Sequence, residues 1–128
     1  MSLESSPATT WSLAFVAGLV RSGVQHLVLS PGSRSQALAL SADAISQSEG
    51  SDFHVHVCID ERTAGVFCLG LAAQSRRPVA LLCTSGSAPA HYLPALLEAK
   101  HSGIPLIALT ADRPEELRGI GANQTTKQ

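Results

Sequence analysis

Short apolar runs and amphipathic stretches alternate along this chain. His26-Leu27-Val28-Leu29, His54 to Ile59, Val79 to Cys83 and Ile104 to Leu109 each read as a strand. Their near-continuous Val, Leu and Ile content predicts burial on both faces, as in a parallel sheet. Helical patterns fill the intervals. Thr10 predicts an N-cap for a helix with Trp11, Phe15, Val16, Leu19 and Val20 on one face, closed by Arg21-Ser22-Gly23. A second helix spans about Ser35 to Ile45, a third Thr63 to Gln74, and a fourth begins near Ala88 and runs to Lys100. Pro94 lies inside the fourth and predicts a bend or a delayed start. Glu115 to Gln128 has no period and reads as a loop with room for one short helical turn.

The alternation predicts a three-layer α/β/α sandwich around a parallel sheet, with linkers short enough for right-handed crossovers. Residues 1–9 read as a flexible tail and 10–128 as one domain. There are no internal repeats and no low-complexity tracts. Each strand stops in a polar cluster: Ser30-Pro31-Gly32-Ser33-Arg34-Ser35, Asp60-Glu61-Arg62, Thr84-Ser85-Gly86-Ser87 and Thr110-Ala111-Asp112-Arg113-Pro114. In a parallel sheet all four clusters share one edge, where open α/β folds bind ligands.

Composition narrows the function classes. At 128 residues and 45% apolar content the chain can bury one core, and 15% charged residues suits elements covered on several sides. Nine Lys and Arg against ten Asp and Glu leave no field to recruit nucleic acid or an anionic membrane. No apolar run approaches a bilayer span, and the polar start lacks a basic n-region, so neither a membrane span nor a secretory signal is expected and the default location is cytoplasmic. Three cysteines inside apolar stretches read as structural thiols.

Each cluster has two readings. Pro31 to Ser35 joins a strand end to a helix start, so its N–H groups and Arg34 suit a carboxylate or phosphate, or it is a serine-capped turn. Glu61, between an apolar strand and a helix, is either a tuned acid-base group or a complement to the helix dipole paired with Arg62. Thr84 to Ala88 matches neither a nucleophile elbow nor a phosphate-binding Walker loop and reads as a close-approach turn. His54, His56 and Cys58 share one strand face, but their spacing is poor for a tetrahedral site, so no metal is assigned. His91 and Tyr92 read as packing or capping groups. Arg113 brings a second guanidinium to the edge that holds Arg34, or pairs locally with Asp112 or Glu115. Asn123 and Gln124 could add amides if their loop folds back.

Taken in order, PGSRS (31–35), DER (60–62), TSGSA (84–88), TADRP (110–114) and GANQ (121–124) closely resemble the 2-succinyl-5-enolpyruvyl-6-hydroxy-3-cyclohexene-1-carboxylate synthase family, over residues 10 to 128. The resemblance implies the N-terminal, pyrimidine-binding domain of a thiamine-diphosphate enzyme of menaquinone and phylloquinone biosynthesis. It implies decarboxylation of 2-oxoglutarate and addition of the remaining unit to isochorismate. It places the family's glutamate on Glu61, hydrogen-bonded to N1′ of the aminopyrimidine and favouring its imino tautomer. It assigns Thr84, Ser85 and Gly86 to the cofactor, and Ser33, Arg34, Arg113, Asn123 and Gln124 to substrates that each carry two carboxylates.

Family members are several hundred residues long and hold Mg²⁺ and the diphosphate through a Gly-Asp-Gly…Asn motif, which these 128 residues lack. The resemblance therefore implies an incomplete domain, inactive alone, whose parent is a homodimer or homotetramer. The alternatives are a non-catalytic anion-binding α/β module and another thiamine-diphosphate-dependent decarboxylase or ligase.

Overall fold

The computed structural model describes residues 6–123 and 125. Four helices and four strands alternate: α1 (Pro7–Arg21), β1 (His26–Leu29), α2 (Gln36–Ser46), β2 (His54–Val57), α3 (Glu61–Ser75), β3 (Val79–Cys83), α4 (Leu93–Ser102) and β4 (Leu106–Thr110). Single 3-10 turns occupy Ser33–Ser35, Ala88–Tyr92 and Glu115–Leu117.

All strand pairs are parallel, in the order β2-β1-β3-β4. The central pair carries the apolar load. Leu27 and Leu29 of β1 join Ala80 and Leu82 of β3 on one face, packed with Val16 of α1 and Ala42 of α2. Val28, Val79, Leu81 and Cys83 point the other way, against Ala64, Cys68 and Ala72 of α3 and Tyr92. The sheet is thus covered on both sides, and the three-layer sandwich read from the sequence is the observed fold. Burial on both faces holds for β1 and for every residue of β3, but not for the edge strands β2 and β4.

Local departures have simple causes. Helix α1 starts at Pro7 instead of after Thr10: Ser6 caps it by accepting the Thr9 amide at 3.2 Å, and proline suits a first turn. Residues 7–9 therefore belong to the helix and not to a tail. Helix α3 starts two residues before Thr63, because Asp60 accepts the Thr63 amide at 3.0 Å. The start of α4 is delayed, as Pro94 predicts: Ala88–Tyr92 winds as a 3-10 turn and the α-helix begins at Leu93, placing Pro94 in its first turn. The first and third strands fall on the residues expected, whereas β2 ends at Val57 and β4 begins at Leu106.

Among the described residues no helix is long and apolar enough to cross a membrane.

Candidate functional site

The chain leaves β1 toward β2 on one side and returns to β3 on the other, so the connections reverse between β1 and β3. In such sheets the crevice above the reversal is the default ligand site. Two turns meet there. Ser30 at the end of β1 donates its amide to Leu82 O at 2.8 Å, tying the strand ends together. Beyond it, Gly32 approaches Thr84 so closely that an added Cβ would lie 2.3 Å from Thr84 Cβ. On the β3 side Gly86 has φ +85°, a conformation that favours glycine, and lets the turn fold tightly over the strand end. PGSRS and TSGSA, separate in sequence, thus form one wall.

Glu61 begins α3 beside this wall. Of the two carboxylates in the DER cluster, Asp60 takes the structural work. It caps the helix and pairs with Arg62 at 2.6 Å. The Arg62 hydrogen bonds and the Thr63 amide hold the Asp60 carboxyl well below the usual carboxylate range. Arg62 is thereby engaged with Asp60 and not with Glu61. Glu61 is half-buried at the positive end of the helix dipole, with no ion pair among the described residues. Its carboxylate has no hydrogen-bond partner among the described residues.

At the far side of β3, Arg113 follows β4. Its Nη2 donates to the main-chain carbonyl of Asn123, so the chain at Asn123 folds back onto the TADRP turn. Asp112 pairs with Arg118 at 3.1 Å, which leaves the Arg113 guanidinium without a carboxylate partner among the described residues. Arg34 sits in the 3-10 turn after β1 and is half-buried. Because β3 lies between β1 and β4, Arg34 and Arg113 follow strands that are not neighbours in the sheet. Ser33 is exposed at its rim, Ser85 is buried beside Thr84, and Gln124 lies outside the described residues.

Sequence reasoning assigned Thr84 to the cofactor and read Tyr92 as a packing or capping group, but gave Ser30 no role of its own. Ser30 Oγ, Thr84 Oγ1 and Tyr92 Oη are buried, and none has a hydrogen-bond partner among the described residues. A serine ending an apolar strand was the available signal for Ser30; nothing local marked the hydroxyl of Tyr92. The three histidines near β2 are a separate feature: among the described residues no group of three or more His, Cys, Asp or Glu is placed to hold a metal.

The model of the family described as "Thiamine pyrophosphate enzyme, N-terminal TPP binding domain" matches residues 9–128. The chain belongs to this family. Among curated proteins this TPP-binding domain is similar to the enzymes named 2-succinyl-5-enolpyruvyl-6-hydroxy-3-cyclohexene-1-carboxylate synthase. It is 53% identical to that of Clavibacter michiganensis over 123 residues, 96% of this chain and 21% of that protein. To that of Dechloromonas aromatica it is 54% identical over 119 residues, 93% of this chain and 21% of that protein. To that of Renibacterium salmoninarum it is 56% identical over 113 residues, 88% of this chain and 20% of that protein. The TPP-binding domain thus spans about a fifth of the length of these relatives. Its fold matches the crystal structure of benzoylformate decarboxylase from Polynucleobacter necessarius, with TM-score 0.69 and 22% identity over 89% of this chain and 20% of that one.

The residues present fit the ring end of the cofactor. An aminopyrimidine offers ring nitrogens and an exocyclic amine, and needs a carboxyl and neutral oxygens close by. Glu61 and the unpartnered hydroxyls of Ser30 and Thr84 are such groups, at a turn where glycines let the backbone come near.

Proposed function

We propose that this domain holds the aminopyrimidine of thiamine diphosphate in a synthase that decarboxylates 2-oxoglutarate and joins the product to isochorismate, as a transferase giving 2-succinyl-5-enolpyruvyl-6-hydroxy-3-cyclohexene-1-carboxylate. The observation that carries the reading is the division of labour in the DER cluster: Asp60 caps α3 and takes Arg62, leaving Glu61 uncommitted at the switch-point crevice. The names of the relatives support the product; the two substrates rest on the resemblance of the motifs.

When bound, the cofactor supplies an acidic ring carbon and an electron sink for decarboxylation. This chain's residues do the rest of the work on this side of the site. Glu61 shares a proton with ring nitrogen N1′, a contact that part-burial protects from competition by water. Thr84, Ser85 and Gly86 form the turn against the ring, and Gly32 keeps the opposite turn close. Arg34 and Arg113 bind substrate carboxylates, with Ser33 and Asn123 nearby; Gln124, outside the described residues, is assigned to the substrates by the resemblance alone. Two separated guanidiniums suit substrates that each carry two carboxylates.

Mg²⁺ and the diphosphate are held by a part of the protein beyond these 128 residues, in a cytoplasmic homodimer or homotetramer. Ile59, Val66 and Phe67, which are 79%, 62% and 41% exposed along the head of α3, support a neighbour packed beside Glu61. By itself the 128-residue chain is expected to turn over neither substrate.

The test is an exchange. This chain replaces the matching segment of the Clavibacter michiganensis synthase, and product formation from 2-oxoglutarate and isochorismate is followed. Activity with the native chain and its near-complete loss with Glu61→Gln support the reading. An active exchange protein that Glu61→Gln leaves unaffected would sink it.

A further inference from the structure

Three histidines form a row that the candidate site does not use. In the parallel register His26 of β1 faces His54 of β2, and Val28 faces His56. Val28 packs toward α3, so strand alternation sets all three imidazoles on the α3 side of the sheet. Nδ1 of His26 lies 3.1 Å from Nε2 of His56, and the His54 ring stacks on His26 at 5.3 Å. From α3, Phe67 meets His56 edge-on at 5.4 Å.

The row closes a corner of the fold. β2 is an edge strand bonded to β1 alone, from the His54 amide on Gln25 O at 2.8 Å to the Cys58 amide on Leu29 O at 2.9 Å. Past Cys58 and Ile59 the chain enters α3 at Glu61. His56 precedes Glu61 and Phe67 follows it, so the meeting of their rings spans the turn that carries Glu61.

Little nearby charge offsets a proton on the row. Asp52 lies 3.5 Å from His54 Nε2 but also accepts from Gln25, which in turn accepts from Arg77 at 2.8 Å. Cys58 follows on the same strand, and Cys68 of α3 points to Ala80 O. The charged groups of α3 sit at its head, Glu61 and Arg62, the latter held by Asp60, and Arg76 caps its far end. Burial and then neighbouring imidazoles lower the pKa of His26 and His56, with Asp52 opposing this at His26. In the neutral pair one ring donates and the other accepts, and one added proton preserves that bond. A second leaves two N–H groups and two cations facing each other, so the bond is lost. Acid therefore favours the arrangement in which the rings part.

We propose that the His26–His56 bond, with Phe67 set against it, is an acid-sensitive clasp on the β2–α3 corner: doubly protonated, it opens and lets the turn bearing Glu61 move. The effect on the cofactor rests on reading Glu61 as its contact; the clasp itself does not.

Amide hydrogen exchange in the full 128-residue chain reads the clasp without ligand. From about pH 7.5 to about pH 5, protection of the His54 and Cys58 amides should fall about tenfold more than protection of the β3 amides. Equal loss in both strands, or none in either, overturns the proposal. His56→Gln keeps a side-chain donor and acceptor but takes no proton, so it should remove the excess loss in β2. His101→Gln, on exposed surface at the end of α4, should keep it. An excess loss that persists in His56→Gln overturns the assignment to this pair. In the exchange synthase, the thiamine diphosphate concentration for half-maximal rate should rise about fivefold from about pH 7.5 to about pH 5.5, but less than about twofold in His56→Gln. Equal rises overturn the link to Glu61. If that synthase is inactive even with the native chain, the functional reading fails, and the amide protection still decides the clasp.

Discussion

Across the β1–β2 pair, Nδ1 of His26 lies 3.1 Å from Nε2 of His56, so the two imidazoles share one hydrogen bond. His54 stacks on His26 at 5.3 Å, and Phe67 of α3 meets His56 edge-on at 5.4 Å. Burial lowers the pKa of both rings, and neighbouring imidazoles lower it further, while Asp52 partly offsets this for His26. The folded state therefore binds protons less readily than the unfolded chain. Stability is fully present above the unfolded value near 6.5 and is lost as pH falls through it toward the folded values. The urea midpoint should drop between about pH 7.5 and about pH 5, and His56→Gln should flatten the profile. An unchanged slope in that variant would remove the histidine pair as the cause. The depressed Asp60 carboxyl acts in a separate, far more acid window.

The contact of Gly32 with Thr84 makes a sharper prediction. Gly32 has an extended backbone, φ −169°, so alanine there meets no conformational penalty. It meets Thr84 instead, with Cβ atoms 2.3 Å apart, a distance that forces the two turns to separate. Gly32→Ala should cost about 2–3 kcal/mol in denaturant unfolding, in the range of overpacked cores. Because the clash is with Thr84 itself, Thr84→Gly in the same chain should recover part of that loss. Strict additivity of the two changes would show that the turns had already moved apart.

In the DER cluster, Asp60 and Glu61 differ in kind despite being neighbours. Asp60→Ala removes the oxygen that accepts the Thr63 amide and the partner of Arg62, so the thermal midpoint should fall. Asp60→Asn keeps an acceptor and should restore most of the loss. Glu61→Gln should leave the unfolding free energy within about 0.5 kcal/mol of native, since no ion pair is broken among the described residues. The opposite ranking in a melting series would mean that the cap and the uncommitted carboxylate have been exchanged.

The layers and the shared strand edge were legible in the sequence because they follow from local period: Val79 to Cys83 is apolar at every position and can only be a central strand. The meeting of the PGSRS and TSGSA turns was not. It depends on β1 and β3 being neighbours, which is strand order, and strand order is set by crossovers with no local marker. Thr10 misled for a similar reason, since a good cap lay in range but Ser6-Pro7 offered an earlier start. The partner of Arg62 was also hidden. Asp60 and Glu61 are both within reach along the chain, and only the extended backbone at Asp60, φ −89° and ψ 123°, turns the first toward it. Tyr92 read as a packing or capping group, and it does pack in the core; that its ring lies against Gly65 follows from the crossover that brings α3 over it and had no local marker.

The cysteines test the core itself. Cys68 and Cys83 are 0% exposed, and burial pushes their thiols up to about 12 and about 11. Thiolate, the reactive form, is therefore scarce at neutral pH, and reagent access is blocked as well. Cys58 is only half-buried, at the open end of β2. A thiol-reactive dye should modify one cysteine in the native chain and all three after denaturation. Cys58→Ser should abolish the fast native phase. Should two thiols react in the folded protein at the same rate, the layer between α3 and the sheet would have to open on the timescale of labelling. In that case Tyr92 and Glu61, which border the same layer, would share that motion.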